Sequence, residues 1–238
     1  YILNNKKDIP ANGKVITTVV STPMIDVVAP AKNVGVIKTL TGFKYIGEKI
    51  RQFENKEIDG TYILGFEESY GYLIGTHARD KDAIVSSLLI AEMAAFYNSK
   101  GTSIYKELQK LYQEFGYYLE GIKSVTLTGK DGIEKMANLM TELRETVKDR
   151  TIDKNIKIKR DFKTKKELIV ATGEEKDILL PVENVIQFVL EDDTYITARP
   201  SGTEPKIKFY FSVNAPTKEE VEKKLNETME KFVATLKL

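Results

Sequence analysis

The stretch KVITTVVSTPMIDVVAPAK, residues 14–32, joins a strand pattern directly to a helix pattern. Its first part, residues 14–20, is dominated by β-branched side chains, which is typical of a buried strand. Ser21 and Thr22 then supply capping hydroxyls with Pro23 just behind them, so a helix is predicted to begin near Thr22. A strand followed at once by a helix is the building unit of α/β layer folds.

The same alternation continues along the first half of the chain. Strand patterns cover 34–40 and 60–69, and helix patterns cover 42–53, 80–101 and 103–116. The helix pattern over 80–101 is strongly apolar, with acidic residues in its first turn and a glycine after its last. This alternation predicts an α/β domain over residues 1–116.

The pattern changes after Gly116, where strands come to outnumber helices. Strand patterns cover 117–127, 184–190, 193–199 and 206–213, and helix patterns cover 131–147 and 217–236. In the last strand, four apolar residues from Ile207 to Val213 occur at every second position and so share one face. We therefore predict a smaller α+β domain over residues 117–238, with an antiparallel sheet that carries its helices on one side.

Bulk composition excludes several classes of protein. The 238 residues are 42% hydrophobic and 30% charged, as in globular proteins, and the formal net charge is only +1. We expect neither nucleic acid nor membrane as a partner, because no global field attracts an anionic surface and no apolar run approaches the ~20 residues of a membrane span. With no cysteine and one histidine, His77, we expect no metal site in this chain. The lack of cysteine fits a reducing, cytoplasmic compartment.

Two further stretches bear on the organisation of the chain. The opening YILNNKKDIPANGK, residues 1–14, has the pattern of a helix end followed by a linker, so we expect a piece of a longer protein. The basic stretch DRTIDKNIKIKRDFKTKKE, residues 149–167, interleaves its cations with carboxylates and lacks a series of aromatic residues. Because Ile156 and Ile158 alternate within it, it is interpreted as a charged edge strand and not as a nucleic-acid surface.

The loop RPSGTEPK, residues 199–206, concentrates polar groups between two predicted strands. Proteins bind phosphate with a guanidinium, backbone N–H groups in a concave turn and a second positive charge. Arg199 and Lys206 supply the charges, and Gly202 lets the backbone adopt positive φ around an oxyanion. The alternative is a solvated hairpin whose proline and glycine residues serve only the turn.

Two other polar clusters follow predicted strands or open a predicted helix. In GFEESYG, residues 65–71, Glu67 and Glu68 point to opposite sides, whereas Glu67 and Ser69 share one side and suit vicinal sugar hydroxyls. A capping signal is the alternative interpretation. In THARDKDA, residues 76–83, Lys81 faces the positive end of a helix dipole, which favours an anion site or a proton-transferring lysine. His77 is expected to be a hydrogen-bonding surface residue.

Taken in order, GFEESYG, HARDKDA and ARPSGTEPKIKFYF resemble motifs of the α-D-phosphohexomutase family, the phosphoglucomutase and phosphomannomutase enzymes. TLTGFKYIG, residues 39–47, resembles the family segment that opens the site in the third domain. The resemblance spans nearly the whole chain. It implies that residues 1–116 are a mixed-sheet α/β/α third domain and that residues 117–238 are a fourth domain with a fold like the TATA-binding protein.

The resemblance also implies a reaction and a role for each site residue. In this family a phosphoserine phosphorylates one end of a hexose phosphate, and the resulting sugar bisphosphate turns round and returns its other phosphate. The positions implied for substrate binding are Thr41, Gly42, Phe43, Glu67, Ser69, Arg199, Ser201, Gly202, Thr203 and Lys206. Glu67 and Ser69 would hold the sugar and the 199–206 loop the non-reacting phosphate. Lys81 would act as general acid or base beside the reacting oxygen.

Two family motifs have no counterpart in this sequence: the Ser-His-Asn-Pro loop of the phosphoserine and the Asp-x-Asp-x-Asp-Arg loop of Mg²⁺. The resemblance therefore implies half of an active site, which binds hexose phosphate without turnover. Mg²⁺ and the missing N-terminal domains would belong to a longer cytoplasmic intramolecular phosphotransferase that interconverts glucose 1-phosphate and glucose 6-phosphate. EESYG resembles the glucose-phosphate type of loop. A phosphopentomutase of the same family, or a non-catalytic sugar-phosphate-binding module, remains an alternative.

Overall fold

The computed structural model describes residues 1–5, 8–129, 131–145, 155–202 and 204–236. They form two compact units, Tyr1–Gly116 and Tyr117–Leu238. Each unit has its own sheet and its own buried core. The two units are therefore described separately.

The described part of the first unit consists of a small sheet and surrounding helices. Its strands are β1 (Gly13–Thr18), β2 (Gly35–Thr39), β3 (Thr61–Phe66) and β4 (Tyr72–Ile74). Its α-helices are α1 (Ile2–Asn5), α2 (Ile25–Val28), α3 (Phe43–Glu54), α4 (Ala83–Ser99) and α5 (Ile104–Phe115), with a 3₁₀ turn at Pro30–Lys32. The helix expected near Thr22 thus begins three residues later, at Ile25.

The first sheet is mixed, with strand order β2-β1-β3-β4. β1 pairs in parallel with β2 and β3, while β4 runs antiparallel to β3. Successive residues of β1 face opposite sides: Ile16 packs with Ile46 and Ile50 of α3, and Val15 packs with Ala29 on the other face. The sheet is thus covered on both faces, and the predicted mixed-sheet α/β/α architecture is confirmed.

Helix α4 differs from its neighbours because its apolar residues are spread all round it and are mostly exposed. Ser86 is its one buried residue, while Ile84 and Leu88 are 83% and 70% exposed. An evenly apolar helix is typical of a buried position, so this exposure is unusual.

None of the helices in the described residues combines the length and apolar content needed to cross a bilayer.

The described part of the second unit is built on a larger sheet. Its strands are β5 (Tyr117–Thr126), β6 (Ile156–Asp161), β7 (Lys166–Ile169), β8 (Glu174–Asp177), β9 (Ile186–Leu190), β10 (Tyr195–Pro200) and β11 (Lys206–Ala215). Its helices are α6 (Gly132–Glu145) and α7 (Lys218–Thr235). The strand order is β5-β11-β10-β9-β6-β7-β8, and every neighbouring pair is antiparallel.

One face of this sheet carries the core of the second unit. The alternating residues of β11, from Ile207 to Val213, are each at most 1% exposed and belong to one cluster with residues of α6 and α7. Phe232 of α7 packs edge-on against Phe209 and Phe211, with ring centroids 5.3 and 5.6 Å apart. The antiparallel α+β architecture predicted for this half is confirmed.

The basic stretch over 149–167 was wrongly interpreted as an edge strand. Residues 149–154 lie outside the described residues, but β6 pairs with β9 on one side and β7 on the other. The prediction failed because two short, charged strands, β7 and β8, went unrecognised and lie beyond β6. The outermost strand is β8, whose four residues are all charged and exposed, as suits an edge that must not pair further.

Replacement of Ile46 by alanine should destabilise the first unit far more than replacement of Leu88. Ile46 is fully buried, so Ile46→Ala should lower the free energy of unfolding by roughly 2–5 kcal/mol. Leu88 is 70% exposed, so Leu88→Ala should cost about 0.5 kcal/mol or less. Urea denaturation followed through NMR signals of the first unit measures both. Equal costs would contradict the described exposure of α4.

Candidate functional site

In the first unit, the polar loop after β3 is a tight turn. Glu67 donates its backbone N–H to the Gly71 carbonyl at 2.8 Å, which closes the turn just before β4. Tyr70 within it is left-handed, with φ of 59°, and 88% exposed. The loop extends from the carboxyl end of β3, the edge at which parallel sheets commonly bind ligands.

Glu67 is buried and held by the start of α3. Its side chain is 5% exposed, and its Oε1 accepts a 2.8 Å hydrogen bond from the backbone N–H of Gly42. Gly42 is the N-cap of α3 and has φ of 119°, a backbone conformation that residues other than glycine rarely adopt. The positive end of the helix dipole favours a carboxylate at this place. One oxygen of Glu67 is therefore anchored, and the other faces Ser69 and Lys81.

Three of the predicted site residues, Glu67, Ser69 and Lys81, meet at this second oxygen. Glu67 Oε2 lies 3.5 Å from Ser69 Oγ and 3.6 Å from Lys81 Nζ. The ammonium of Lys81 is also 3.8 Å from Asp80 Oδ1 and 5.9 Å from the centroid of the Phe43 ring. Gly42 joins them through its hydrogen bond, and Thr41 directly precedes it in the chain. Carboxylate, hydroxyl and ammonium groups thus share one place, where they can bind neutral hydroxyl groups and hold a proton.

Lys81 lies just outside helix α4 and not in its first turn. The N-cap is Asp82, whose Oδ1 accepts hydrogen bonds from the backbone N–H groups of Ile84 and Val85 at 2.9 and 3.0 Å. Its Oδ2 lies 3.0 Å from Nε2 of His77. The hydrogen bond with His77, followed by that with Val85, holds the pKa of Asp82 below its usual range. His77 thus makes a hydrogen bond at the surface.

Glu68 turns away from Glu67 towards the end of β1. Its Oε2 accepts a hydrogen bond from Thr18 Oγ1 at 2.8 Å and lies 3.4 Å from Ser21 Oγ. The two adjacent carboxylates therefore have separate partners, as predicted, although β3 ends at Phe66 and both lie in the turn after it.

In the second unit, the 199–206 loop connects β10 to β11. Backbone hydrogen bonds of 2.7 Å close it, from Ser201 N–H to Lys206 O and from Lys206 N–H to Glu204 O. Ser201 Oγ accepts a hydrogen bond from the Glu204 N–H at 3.2 Å. The Pro205 carbonyl accepts one from Leu127 N–H at 2.8 Å, which ties the loop to the chain after β5.

A pocket of about 230 Å³ opens at this loop. Its lining consists of Arg199, Pro200, Ser201, Gly202, Glu204, Lys206 and Lys208. Lys208 was missed in the sequence, although it lies two residues after Lys206 and therefore on the same face of β11. It stands directly opposite Arg199 in the β10–β11 register.

Within the part of the chain that the structure describes, the cations of this pocket are not neutralised by ion pairs. Among the ion pairs of the described residues, none involves Arg199, Lys206 or Lys208. One carboxylate, that of Glu204, lines the pocket with them. Three cations around one loop suit a multiply charged anion.

The role expected of Gly202 was wrong in one respect. Gly202 does not have a left-handed φ, and a Cβ added there would meet nothing within 4 Å. The backbone bonds and prolines close the turn without a positive φ at this position. Thr203, also predicted to bind phosphate, lies outside the described residues.

Comparison with known proteins shows similarity to phosphoglucomutases over most of the chain. Residues 1–115 match the family model described as phosphoglucomutase/phosphomannomutase, alpha/beta/alpha domain III. The chain is 33% identical over 214 residues to a phosphoglucomutase of Staphylococcus haemolyticus, and 35% identical over 211 residues to one of Staphylococcus aureus. These matches cover 90% and 89% of this chain but 38% of each relative. The chain thus spans about two fifths of the length of these curated relatives.

Solved structures show the same fold over both units. The exocytosis-sensitive phosphoprotein pp63/parafusin of Paramecium, a phosphoglucomutase in its open form, is similar with a TM-score of 0.64 at 18% identity. The match covers 93% of this chain and 37% of that protein. A phosphoglucomutase/phosphomannomutase family protein of Burkholderia thailandensis matches with a TM-score of 0.51 at 14% identity, over 94% and 38% of the two chains.

The contribution of Asp82 to stability should depend on pH. Because its pKa is lowered in the folded state, its ionised form stabilises the fold above the unfolded pKa of about 3.9. That contribution is lost as the pH falls through the lowered folded value. Asp82→Ala should therefore lower the thermal midpoint at pH 7, and the gap from the wild type should shrink as the pH falls towards ~3.

Asp82→Asn is the matched control for this pH series, because it keeps an acceptor for the two capped amides but removes the charge and the second oxygen that faces His77. Its gap from the wild type should be smaller at pH 7 and should also shrink on acidification. A gap that stays constant with pH in both variants would contradict the assigned cause of the lowered pKa.

Proposed function

Because this chain belongs to the phosphoglucomutase/phosphomannomutase family, we propose that it supplies the sugar- and phosphate-recognition half of a phosphohexomutase. In this proposal residues 1–116 are the third domain and residues 117–238 the fourth. The observation that carries it is the set of cations around the 199–206 loop, which have no ion-pair partner among the described residues.

The 199–206 loop is proposed to hold the phosphate that does not react. A phosphate monoester carries about −1.5 to −2 charges at neutral pH, which the pocket's three cations and one carboxylate balance. Arg199 can bind two phosphate oxygens at once through its planar guanidinium, while Lys206 and Lys208 act as point charges. Ser201 and Gly202 line the same pocket and would complete the phosphate contacts.

The 67–71 loop is proposed to hold the sugar. Glu67 Oε2 and Ser69 Oγ lie 3.5 Å apart, a spacing at which both can bond to vicinal hydroxyls. Glu67 is already fixed by the Gly42 N–H, so little side-chain freedom is lost when the sugar binds. Thr41 and Phe43 flank Gly42 in the chain and are proposed as further substrate contacts.

Lys81 is proposed as the general acid or base of the reaction. Its ammonium lies 3.6 Å from Glu67 Oε2, so a proton held at Nζ would be close to the hydroxyls that Glu67 binds. The proposed enzyme is an intramolecular phosphotransferase that interconverts glucose 1-phosphate and glucose 6-phosphate through a sugar bisphosphate. The phosphoserine lies in the part of the enzyme outside this chain, so this chain should bind without turnover.

Mg²⁺ is implied by the family, but the residues described here do not fit it. No group of three or more histidine, cysteine or acidic side chains in the described ranges is arranged to hold a metal ion. In this proposal the Mg²⁺ is held by residues outside this chain.

Titration of the chain with ligands tests the proposed function. Glucose 1-phosphate, mannose 1-phosphate and ribose 5-phosphate should shift NMR signals of residues 65–71 and 199–206, whereas inorganic phosphate should shift only the second set. Arg199→Ala should weaken phosphate binding about tenfold or more, since a hydrogen bond to a charged group is worth about 1.5–3 kcal/mol.

Two control variants sharpen this test. Arg199→Lys keeps the charge but loses the planar fork, so it should restore only part of the affinity. Lys176→Ala removes a positive charge from the distant strand β8 and should leave affinity unchanged. Loss of affinity in Lys176→Ala equal to that in Arg199→Ala would show a non-specific charge effect and refute the proposed pocket. The ranking of the three sugars decides between a phosphohexomutase and a phosphopentomutase.

Glu67→Gln separates sugar recognition from phosphate recognition. The variant keeps the shape of the side chain but loses the charge, so the hydrogen bonds to sugar hydroxyls weaken. The dissociation constant for glucose 1-phosphate should rise about tenfold while that for inorganic phosphate stays within about twofold. Isothermal titration calorimetry of both ligands measures the two values. A parallel loss of both affinities would contradict the division between the loops.

A further inference from the structure

The proposed sugar loop is anchored on both sides by neighbouring carboxylates. Glu67 is bonded to the start of α3, as described above, and Glu68 to hydroxyls at the end of β1. β1 and β3 are parallel neighbours with Thr17 opposite Phe66, so the loop after β1 and the loop after β3 leave the sheet at the same edge. The residues that follow β3 are thus held between an adjacent strand end and a helix start.

The partners of Glu68 are deeply buried. Thr18 is fully buried and Ser21 is 4% exposed, and their hydroxyl oxygens lie 2.9 Å apart. Thr18 Oγ1 also accepts a hydrogen bond from the Val20 N–H at 3.3 Å. The Thr18 hydroxyl therefore accepts a hydrogen bond from the Val20 N–H and donates one to Glu68. A hydroxyl this buried is costly to leave without an acceptor, and Ser21 Oγ at 2.9 Å is the other acceptor within its reach.

Glu68 has no part in the proposed contacts with the ligand. Its carboxylate points away from the group formed by Glu67, Ser69 and Lys81, and its described hydrogen bonds go to β1 and the turn after it. A carboxylate placed only to cap its own loop would bond to a nearby N–H of that loop. Its bond instead reaches a residue 50 positions earlier in the chain.

We propose that Glu68 is a positioning residue that fixes the sugar loop through its hydrogen bond to Thr18. This inference rests on the proposed function of the loop. With both carboxylates anchored, the backbone between them cannot rotate, and the Glu67 and Ser69 side chains stay on one side of the loop at 3.5 Å. Without the Glu68 anchor, Glu67 keeps its bond to Gly42 but the spacing to Ser69 is no longer fixed. Sugar recognition then weakens while phosphate recognition does not.

The test compares Glu68→Ala and Thr18→Val with the control Thr18→Ser. Valine keeps the shape of threonine and removes the hydroxyl, whereas serine keeps the hydroxyl and removes the methyl group. Glu68→Ala and Thr18→Val should each raise the dissociation constant for glucose 1-phosphate about fivefold to tenfold, and Thr18→Ser should stay near the wild type. All three should bind inorganic phosphate as the wild type does.

Two further measurements distinguish positioning from simple loss of stability. The double variant Glu68→Ala/Thr18→Val should bind glucose 1-phosphate no more weakly than the weaker single variant, because one shared bond is lost. In the ligand-free chain, the amide of Glu67, which is bonded to Gly71, should exchange its hydrogen faster in Glu68→Ala and Thr18→Val only.

The outcomes are separable from those of the proposed function. A wild-type chain that binds no sugar phosphate would overturn the proposed function and this inference with it. Wild-type affinity in Glu68→Ala, in a chain that does bind glucose 1-phosphate, would overturn the inference alone. So would equal effects of Thr18→Val and Thr18→Ser, or an unchanged exchange rate at Glu67.

Discussion

The parallel pairing of β1 with both β2 and β3 is the constraint on which the first unit depends. Parallel strands end at the same edge, so the chain leaves the sheet there three times, after Thr18, Thr39 and Phe66. Each exit supplies one part of the site: the hydroxyls that hold Glu68, the start of α3 that holds Glu67, and the loop with both carboxylates. The antiparallel β4 then returns the chain towards Lys81, which completes the group.

The second unit reaches its site by a different physical route. In an antiparallel sheet the side chains alternate between faces, and the apolar set of β11 is committed to the helices. Lys206 and Lys208 are therefore turned to the other face, where the register brings Lys208 opposite Arg199. Like charges directly opposite each other are destabilising, so an anion bound between them would stabilise the pairing. The core of the unit thus determines on which face its cations gather.

Most of the fold could be predicted because its strong patterns are local. The period-two alternation of β11 and the strand–helix alternation up to Gly116 need no knowledge of distant residues. The errors came from features decided elsewhere in the chain. β7 and β8 are four residues each, with two charged residues in β7 and four in β8, so they carry little hydrophobic signal. β6 is internal only because it pairs with β7. Likewise the helix predicted over 80–101 begins only at Ala83, so that Asp82 is its N-cap and no acidic residue lies in its first turn.

The candidate site was predictable to the same extent. The strand period predicts the shared side of Glu67 and Ser69, although β3 ends at Phe66 and a turn brings them together. The same rule applied to β11 would have found Lys208. The anchoring of Glu67 by Gly42 could not be found, because 25 residues separate them and only the sheet brings them together. The expected left-handed Gly202 failed for a related reason: turn chemistry allows such a conformation, but the bond between Ser201 and Lys206 makes it unnecessary.

The charge balance of the two loops differs, and that difference agrees with the division of labour proposed for them. Around Glu67, the carboxylate is offset by the start of α3 and by Lys81, and Lys81 in turn lies near Asp80. Such a neutralised group suits uncharged hydroxyls, whose binding depends on hydrogen-bond geometry more than on electrostatic attraction. Around Arg199, three cations face one carboxylate in about 230 Å³, an excess of positive charge that suits an anion. Such an excess is commonly functional, since a purely structural turn gains nothing from it. A sugar phosphate has both a neutral and an anionic end, and the chain presents one loop suited to each.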